Sequence, residues 1–238
     1  CKKFIKLFGF IMNWDDKGYL LSKNRYGENS AIIEFYTISH GKVSGILYGA
    51  TSKKIKNYLL IGNKFHISFK SKNENQLGYF KIEIDEITTP FFFENQKKLS
   101  CIVTTMNLIK ILTVENQSNT EIFNLINTFF KNLKNDNWIN ELIFWELNFF
   151  KLIGYDLELN NLVNKEFKNG IYQYYVSNSN EKKYIPAFLV ENNKSEKNLS
   201  QIFYGLKLVT DFLDKSILKP NNISYPKSRM DFLNIIKN

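Results

Sequence analysis

The sequence predicts an α+β chain in two parts, a small β-barrel followed by a mainly α-helical region, and three observations carry that reading. From Trp14 to about Ile87 the chain runs in short alternating apolar–polar segments punctuated by glycine. After Pro90 the apolar spacing changes from every second residue to threes and fours. The 238 residues suffice for two modest units, each able to bury a core.

The strands follow from the alternation. KFHISFK sets Phe65, Ile67 and Phe69 on one face and Lys64, His66, Ser68 and Lys70 on the other. YFKIEI does the same with Phe80, Ile82 and Ile84 inward. Upstream, GYLLSKN, SAIIEFYT and KVSGILYG supply three more strands, separated by RYGEN and SHG turns. Five short strands in roughly 70 residues predict a small closed barrel of the oligonucleotide/oligosaccharide-binding (OB) kind. Within it, SHGKVSGILYGATSKKIK spaces Gly41, Gly45 and Gly49 four apart. The order is wrong for a GxxxxGK[ST] phosphate loop, and the surroundings are too charged for a membrane packing stripe. The glycines are therefore read as turns and bulges of a tightly curved sheet.

The helices follow from the longer period. LSCIVTTMNLIKILTV, EIFNLINTFFKNL and WINELIFWELNFFKLIG read as amphipathic helices that pack on one another. Ser118 with Glu121 forms a capping box before the second, and Gly154 ends the third. GIYQYYVS and YIPAFLV, on either side of a turn at NSNEKK, read as a hairpin or a pair of extended pieces. A long helix runs near Leu199 to Leu218, closed by Pro220, and a short one after Pro226 runs through MDFLNII. The expected organisation is a barrel over 12–87 and a helical domain over 88–238 with a hairpin insertion near 170–190. CKKFIKLFGFI at 1–11 superficially resembles a truncated signal peptide without a cleavage site. Because Met12 directly precedes the first strand, 1–11 is read as an upstream extension and Met12 as the start.

The formal charge of +9 points to a polyanion, nucleic acid or an acidic membrane face. Arg25 and Arg229 are the only arginines among 32 basic residues, a usage that also fits AT-rich coding. Location decides between the two: from Lys17 to Lys72 ten basic residues face only Glu28 and Glu34. Codon bias spreads lysine without concentrating net charge, so the barrel is read as a nucleic-acid surface. Arg25, Lys42, Lys53, Lys54 and Lys56 are the expected backbone contacts, with His40 a neighbour. Tyr26, Tyr36, Tyr48 and Tyr58 lie between the charges, where they could stack on bases, although each alone reads as ordinary packing.

Other chemistries find little support. Cys1 and Cys101 are too few for a disulfide framework and too far apart for a metal clip, which fits a reducing cytoplasm. Cys101 reads as a small buried hydrophobe. No apolar run reaches the roughly 18 to 20 residues of a membrane span. His40 and His66 sit on different strands, short of a metal site or a nucleophile with its base. Glu28 and Glu34 do not make an acid/base pair, since Glu34 is the outward, solvated residue of an alternating strand. The chain is read as a non-enzyme without cofactor or metal.

WDDKGYLLSKNRYGENSAIIEFYTISHGKVSGILYGATSKK resembles the opening of the RecO family of bacterial recombinational repair proteins. The pattern runs through Gly18, Arg25, Gly27, Glu28, Ser30, Thr37, His40, Gly41, Lys42, Gly49, Lys53, Lys54 and Gly62. FWELNFFKLIGYDLEL, YIPAFLV, GLKLVTDFLDKSILKP and PKSRMDFL are similar to later family segments, so the resemblance covers nearly all of the chain from Met12; between 90 and 135 it is one of helical character alone. The resemblance implies an N-terminal OB-fold, a helical C-terminal domain and binding of single- and double-stranded DNA without a nucleotide cofactor. It further implies annealing of complementary strands and recombinase loading with RecR onto DNA coated by single-strand-binding protein, whose acidic tail a hydrophobic groove receives. It places the protein in the cytoplasm, at the nucleoid. Many members carry a four-cysteine zinc site after the Gly-Tyr segment; this chain has no cysteine there, so no zinc is expected. The alternative is a plain OB-fold single-stranded DNA or RNA binder with a helical oligomerisation domain and no annealing activity. An enzyme built on scattered carboxylates is a third reading, and the chain order shows no acidic cluster for it.

Overall fold

Strand β1 (Met12–Tyr26) is long enough to serve two neighbours. Its first half pairs antiparallel with β4 (Lys64–Ser71) and its second half with β2 (Ser30–Thr37). β2 continues into β3 (Gly41–Tyr48), β3 pairs in parallel with β5 (Gly78–Glu86), and β5 returns antiparallel to β4. The circuit β1-β2-β3-β5-β4 closes a five-stranded barrel. This computed structural model describes residues 12–72, 76–168, 170–178, 181–196 and 198–237. The expected extension at 1–11 lies outside the described residues.

The barrel interior is aliphatic and aromatic: Leu20, Ile33, Phe35, Val43, Leu47, Phe65, Ile67 and Phe80 are buried together. Phe35 meets Phe65 and Phe80 edge-on, with centroids 5.6 and 5.3 Å away. The parallel β3–β5 contact needs two facing glycines. A Cβ on Gly45 would come 2.5 Å from the Phe80 ring and one on Gly78 would come 2.2 Å from Phe69, so the rings occupy the space that side chains would take. Gly41 opens β3 at φ +66°, where a Cβ would lie 1.9 Å from the Gln117 carbonyl oxygen. The glycine-spaced stretch is thus architecture, as its sequence predicts.

Phe65, Ile67, Phe69 and Phe80 are buried as expected and Ile82 packs partly against them. Ile84 pairs with Phe65 on the same face but sits at the end of the regular register, just before a bulge at Asp85, and is 37% exposed. The sequence pattern also passes over α1 (Lys53–Lys56), a single turn too short to show a helical period.

The chain divides into two compact units, one of residues through Phe123 together with Pro226–Asn238, the other Asn124–Tyr225. The first therefore includes more than the strands. Helix α2 (Gln96–Leu112) follows a 3-10 turn at Thr89–Phe92 and is capped by Asn95, whose side chain accepts from the Lys98 amide. Cys101 is fully buried on α2, as a small apolar residue. Helix α3 (Thr120–Asn132) begins at the edge of this unit. Its cap is Asn119, whose Oδ1 accepts from the Glu121 and Ile122 amides at 2.9 and 3.3 Å. The Ser118 capping box is not formed, because the asparagine one residue later takes the Glu121 amide that the box would use.

In the second unit α4 (Trp138–Leu152) packs on α3, with the Trp145 indole donating to the Leu125 carbonyl at 2.7 Å. Gly154 ends α4 at φ +94°, and the Tyr155 amide returns to the Phe150 carbonyl. A short turn of helix, α5 (Leu159–Leu162), leads into a three-stranded sheet of β6 (Asn164–Lys168), β7 (Ile171–Asn178) and β8 (Glu181–Ile185). The expected hairpin is thus a three-stranded meander. β8 takes up EKKYI, part of the expected turn, and Pro186, which has no amide for the ladder, starts the helical turn α6 (Ala187–Val190) where AFLV reads as extended. Helix α7 (Leu199–Phe212) runs on through a π-helical turn at Leu213–Leu218 and a 3-10 turn at Lys219–Asn221. The last helix, α8 (Lys227–Lys237), belongs to the first unit, where Asn107 of α2 donates to the Ser228 hydroxyl at 3.0 Å.

Candidate nucleic-acid interface

The β1–β2 turn and the end of β3 fall at the same end of the barrel, because Tyr26 and Tyr48 both pair with Ser30. α1 follows that end, and Thr51 donates to Asn29 of the β1–β2 turn at 2.9 Å, tying the two loops together. Arg25, Lys53, Lys54 and Lys56 are therefore gathered on one rim, all exposed. None of the four forms an ion pair with a carboxylate among the described residues. Lys23 joins them. Its ammonium donates to the Leu59 carbonyl at 2.6 Å, and burial, then the nearby charge of Lys56, pushes its pKa below the ordinary lysine value. Lys23 was countable in the sequence, but its approach to Lys56 depends on how the loop after α1 folds back.

His40 and Lys42 lie elsewhere. Lys42 pairs with Tyr36 and Arg25 with Ala31, five residues apart along β2, or about 17 Å at strand rise. The Lys42 ammonium donates to the Lys110 carbonyl at 2.8 Å, and the His40 ring stacks on Trp14 at 4.0 Å with Nδ1 3.1 Å from Asp16. Glu34, expected to be solvated, is instead held by α2. Its side chain is 14% exposed, pairs with Lys110 at 2.6 Å and accepts from Ser22. An outward strand residue is solvated only where nothing covers the strand.

Folding also redistributes the barrel's charge. Asp85 on β5 lies 2.9 Å from Lys17, 2.7 Å from His66 and 3.8 Å from Lys64. Burial works to raise the Asp85 carboxyl, but the Lys17 hydrogen bond and the charges of His66, Lys17 and Lys64 outweigh it and hold the pKa below the ordinary value. Such a depressed carboxylate stabilises the fold fully at neutral pH, and the contribution is lost as pH falls through its folded pKa. Asp85→Asn is thus expected to lower stability at pH 7, and the gap from wild type to close below about pH 4. Urea unfolding of both proteins from pH 7 downward checks this; a gap independent of pH contradicts it.

The aromatic residues sort by register. Tyr36 is 1% exposed and bonded to the Asn119 carbonyl, and Tyr58 packs against the core, so neither is open to a base. Tyr26 and Tyr48 are 51% and 61% exposed. The β3–β5 pairing adds Tyr79, whose ring centroid lies 6.2 Å from that of Tyr48 and which pairs with Lys70 on β4. Sequence alone gives no sign of Tyr79, since the strand contact that brings it there is non-local.

The second unit has an open groove between α3, α4 and α6, with Leu125, Phe144 and Leu189 on its walls. Its rim carries Glu141, Asp156 and Glu158 against Lys151 and Lys194, and Lys151 already pairs with Asp156 at 2.9 Å. Charge does not mark it as a receptor for an acidic peptide. No group of three or more His, Cys, Asp or Glu side chains able to hold a metal is present among the described residues, and no described helix is long and apolar enough to cross a membrane.

Together, the closed five-stranded barrel, its basic rim and the following helices define an OB-fold protein with a helical C-terminal region. The chain belongs to the RecO family. Its residues 12–87 match the family described as recombination protein O N terminal, and residues 94–220 match recombination protein O C terminal. It is similar to the DNA repair protein RecO of Rhodospirillum centenum, 22% identical over 236 residues covering 93% of this chain and 94% of that one. It is 26% identical to the DNA repair protein RecO of Ehrlichia chaffeensis, over 93% of this chain and 84% of that one. The DNA repair protein RecO of Rickettsia canadensis is also 26% identical, with 94% and 97% covered.

Proposed function

We propose that this protein is a non-enzymatic DNA-binding repair mediator. It binds single- and double-stranded DNA, anneals complementary strands, and helps RecR load recombinase onto DNA coated by single-strand-binding protein in the cytoplasm. One observation carries the reading: the rim where Lys23, Arg25, Lys53, Lys54 and Lys56 converge with two cations close enough to oppose each other's charge. Such a rim is costly without a ligand and gains counterion release on meeting phosphates. Holding two strands on one chain raises their local concentration, which is all that annealing asks of a protein that makes and breaks no bond. RecR and the acidic tail of the single-strand-binding protein enter through membership of the family.

Stacking on Tyr48 and Tyr79 supplies the affinity for unpaired bases. Tyr48→Ala with Tyr79→Ala is expected to weaken oligo-dT binding at least about fivefold while leaving its salt dependence unchanged. Fluorescence anisotropy across a salt series reads both quantities, and unaltered affinity would place the bases elsewhere. The function is tested by annealing complementary oligonucleotides already coated with the cognate single-strand-binding protein. Annealing without ATP that is lost when the partner's acidic tail is removed supports the mediator. Binding without annealing favours the plain OB-fold binder.

A further inference from the structure

The β6–β7 hairpin presents aromatic rings and lysines in a way its own unit does not use. Register sets Lys165 opposite Tyr174 and Phe167 opposite Tyr172, so all four share one face. The root of that face is anchored: Tyr174 is 8% exposed and donates to Glu191 at 2.8 Å, just past α6. Its tip is bare. Phe167 and Tyr172 are 66% and 53% exposed, their rings edge to face at 5.0 Å. The Lys165 ammonium sits 3.8 Å from the Tyr172 centroid, beside the Phe167 ring's strand. Lys168, the neighbour of Phe167, projects to the opposite face, where its charge acts on Glu166; Lys165 forms no ion pair among the described residues. By contrast Lys182, on the far strand, is tied to Glu166 at 2.6 Å.

Exposed aromatic area is costly in water, and a packed unit retains it where a ligand covers it. The charge complement of this tip is a polyanion, and a bare polyanion gives two exposed rings nothing to do. A strand with unpaired bases uses both, a phosphate on the Lys165 ammonium and a base on the open ring. We propose that the β6–β7 hairpin is a second single-stranded nucleic-acid site, with Phe167 and Tyr172 as the stacking pair and Lys165 as the phosphate contact. It rests on the nucleic-acid reading of the chain but uses none of the barrel's residues. The hairpin thus gives the second unit its own hold on a strand.

The test uses the full chain and 5-iodouracil-substituted oligo-dT. Photo-crosslinks are expected within residues 164–172 as well as on the barrel. Phe167→Ala with Tyr172→Ala should weaken binding at least about fivefold, and Lys165→Gln should flatten the log–log salt slope by roughly 0.7. Both variants are surface changes, and thermal unfolding like wild type establishes that they fold. Wild-type affinity and slope in both variants, with no crosslink at the hairpin, overturn the proposal; if Lys53, Lys54 and Lys56 changed to Glu still abolish binding, the barrel reading stands. Hairpin variants that keep DNA binding but lose flotation with anionic vesicles assign the tip to a lipid surface and likewise overturn it. Weakening by the hairpin variants alone supports this site and removes the barrel as the main one.

Discussion

Changing Lys53, Lys54 and Lys56 to Glu is expected to reduce single-strand affinity on the order of a hundredfold at 50 mM salt, about 1 kcal/mol for each charge. The three lysines are exposed on one helical turn, bury nothing, and form no ion pair among the described residues, so the fold has no use for them. If Lys23, Arg25 and the three α1 lysines each neutralise one phosphate, the rim contributes about −3.5 to the wild-type log–log salt slope, and the triple variant flattens the slope by about 2.1. The change of slope is the sharper readout, because a misfolded or aggregated variant loses affinity without a defined new slope. Lys42→Gln is a useful control. Lys42 lies at the other end of β2 from the rim, donating to the Lys110 carbonyl, so this change should leave the slope where it was and act on stability instead. Equal slopes for wild type and the triple variant would move the phosphate site off this rim.

How much of this was legible beforehand differs by kind of information. Period-2 alternation put Phe65, Ile67 and Phe69 in the core because a strand's geometry alone decides which face they share. Helical spacing located α2, α3, α4, α7 and α8 for the same reason. What needs a third dimension was not legible. The charge count from Lys17 to Lys72 treated the barrel as a line, whereas closure brings Asp85 from β5 against Lys17 and Lys64. It took two cations out of the phosphate surface that the count had placed in it. Glu34 reads as solvated until α2 covers its strand, and Tyr79 gains its place beside Tyr48 only through a parallel contact 33 residues away in sequence. The rim itself was half legible: Lys53, Lys54 and Lys56 announce it by adjacency, whereas Lys23 reaches it through a folded-back loop.

That loop is held by one buried side chain, and Asn63→Ala is expected to be among the most destabilising single changes in the barrel unit. Asn63 is fully buried. Its Oδ1 accepts from the Thr88 and Thr89 amides at 2.9 and 3.1 Å, and its Nδ2 donates to the Tyr58 carbonyl at 2.9 Å. Its own carbonyl accepts from the Leu20 amide on β1 at 3.0 Å. The residue thus joins the loop after α1, the start of the barrel and the turn that leaves β5. Alanine removes the side-chain partners of two buried amides and one carbonyl at once. At roughly 1 to 3 kcal/mol for each orphaned group, and with losses that overlap, about 3 to 5 kcal/mol is expected. A protein's whole stability is only about 5 to 15 kcal/mol, so the barrel unit should melt well below the wild-type temperature. Hydrogen exchange of the β1 and β4 amides along a urea series reads this unit, because tryptophan fluorescence would mix Trp14 with Trp138 and Trp145 of the other unit. A loss under about 1 kcal/mol would mean that water enters and satisfies the same groups. The variant also bears on the rim: with the loop released, Lys23 should lose its fixed approach to Lys56, and DNA binding should weaken even at temperatures where the core remains folded.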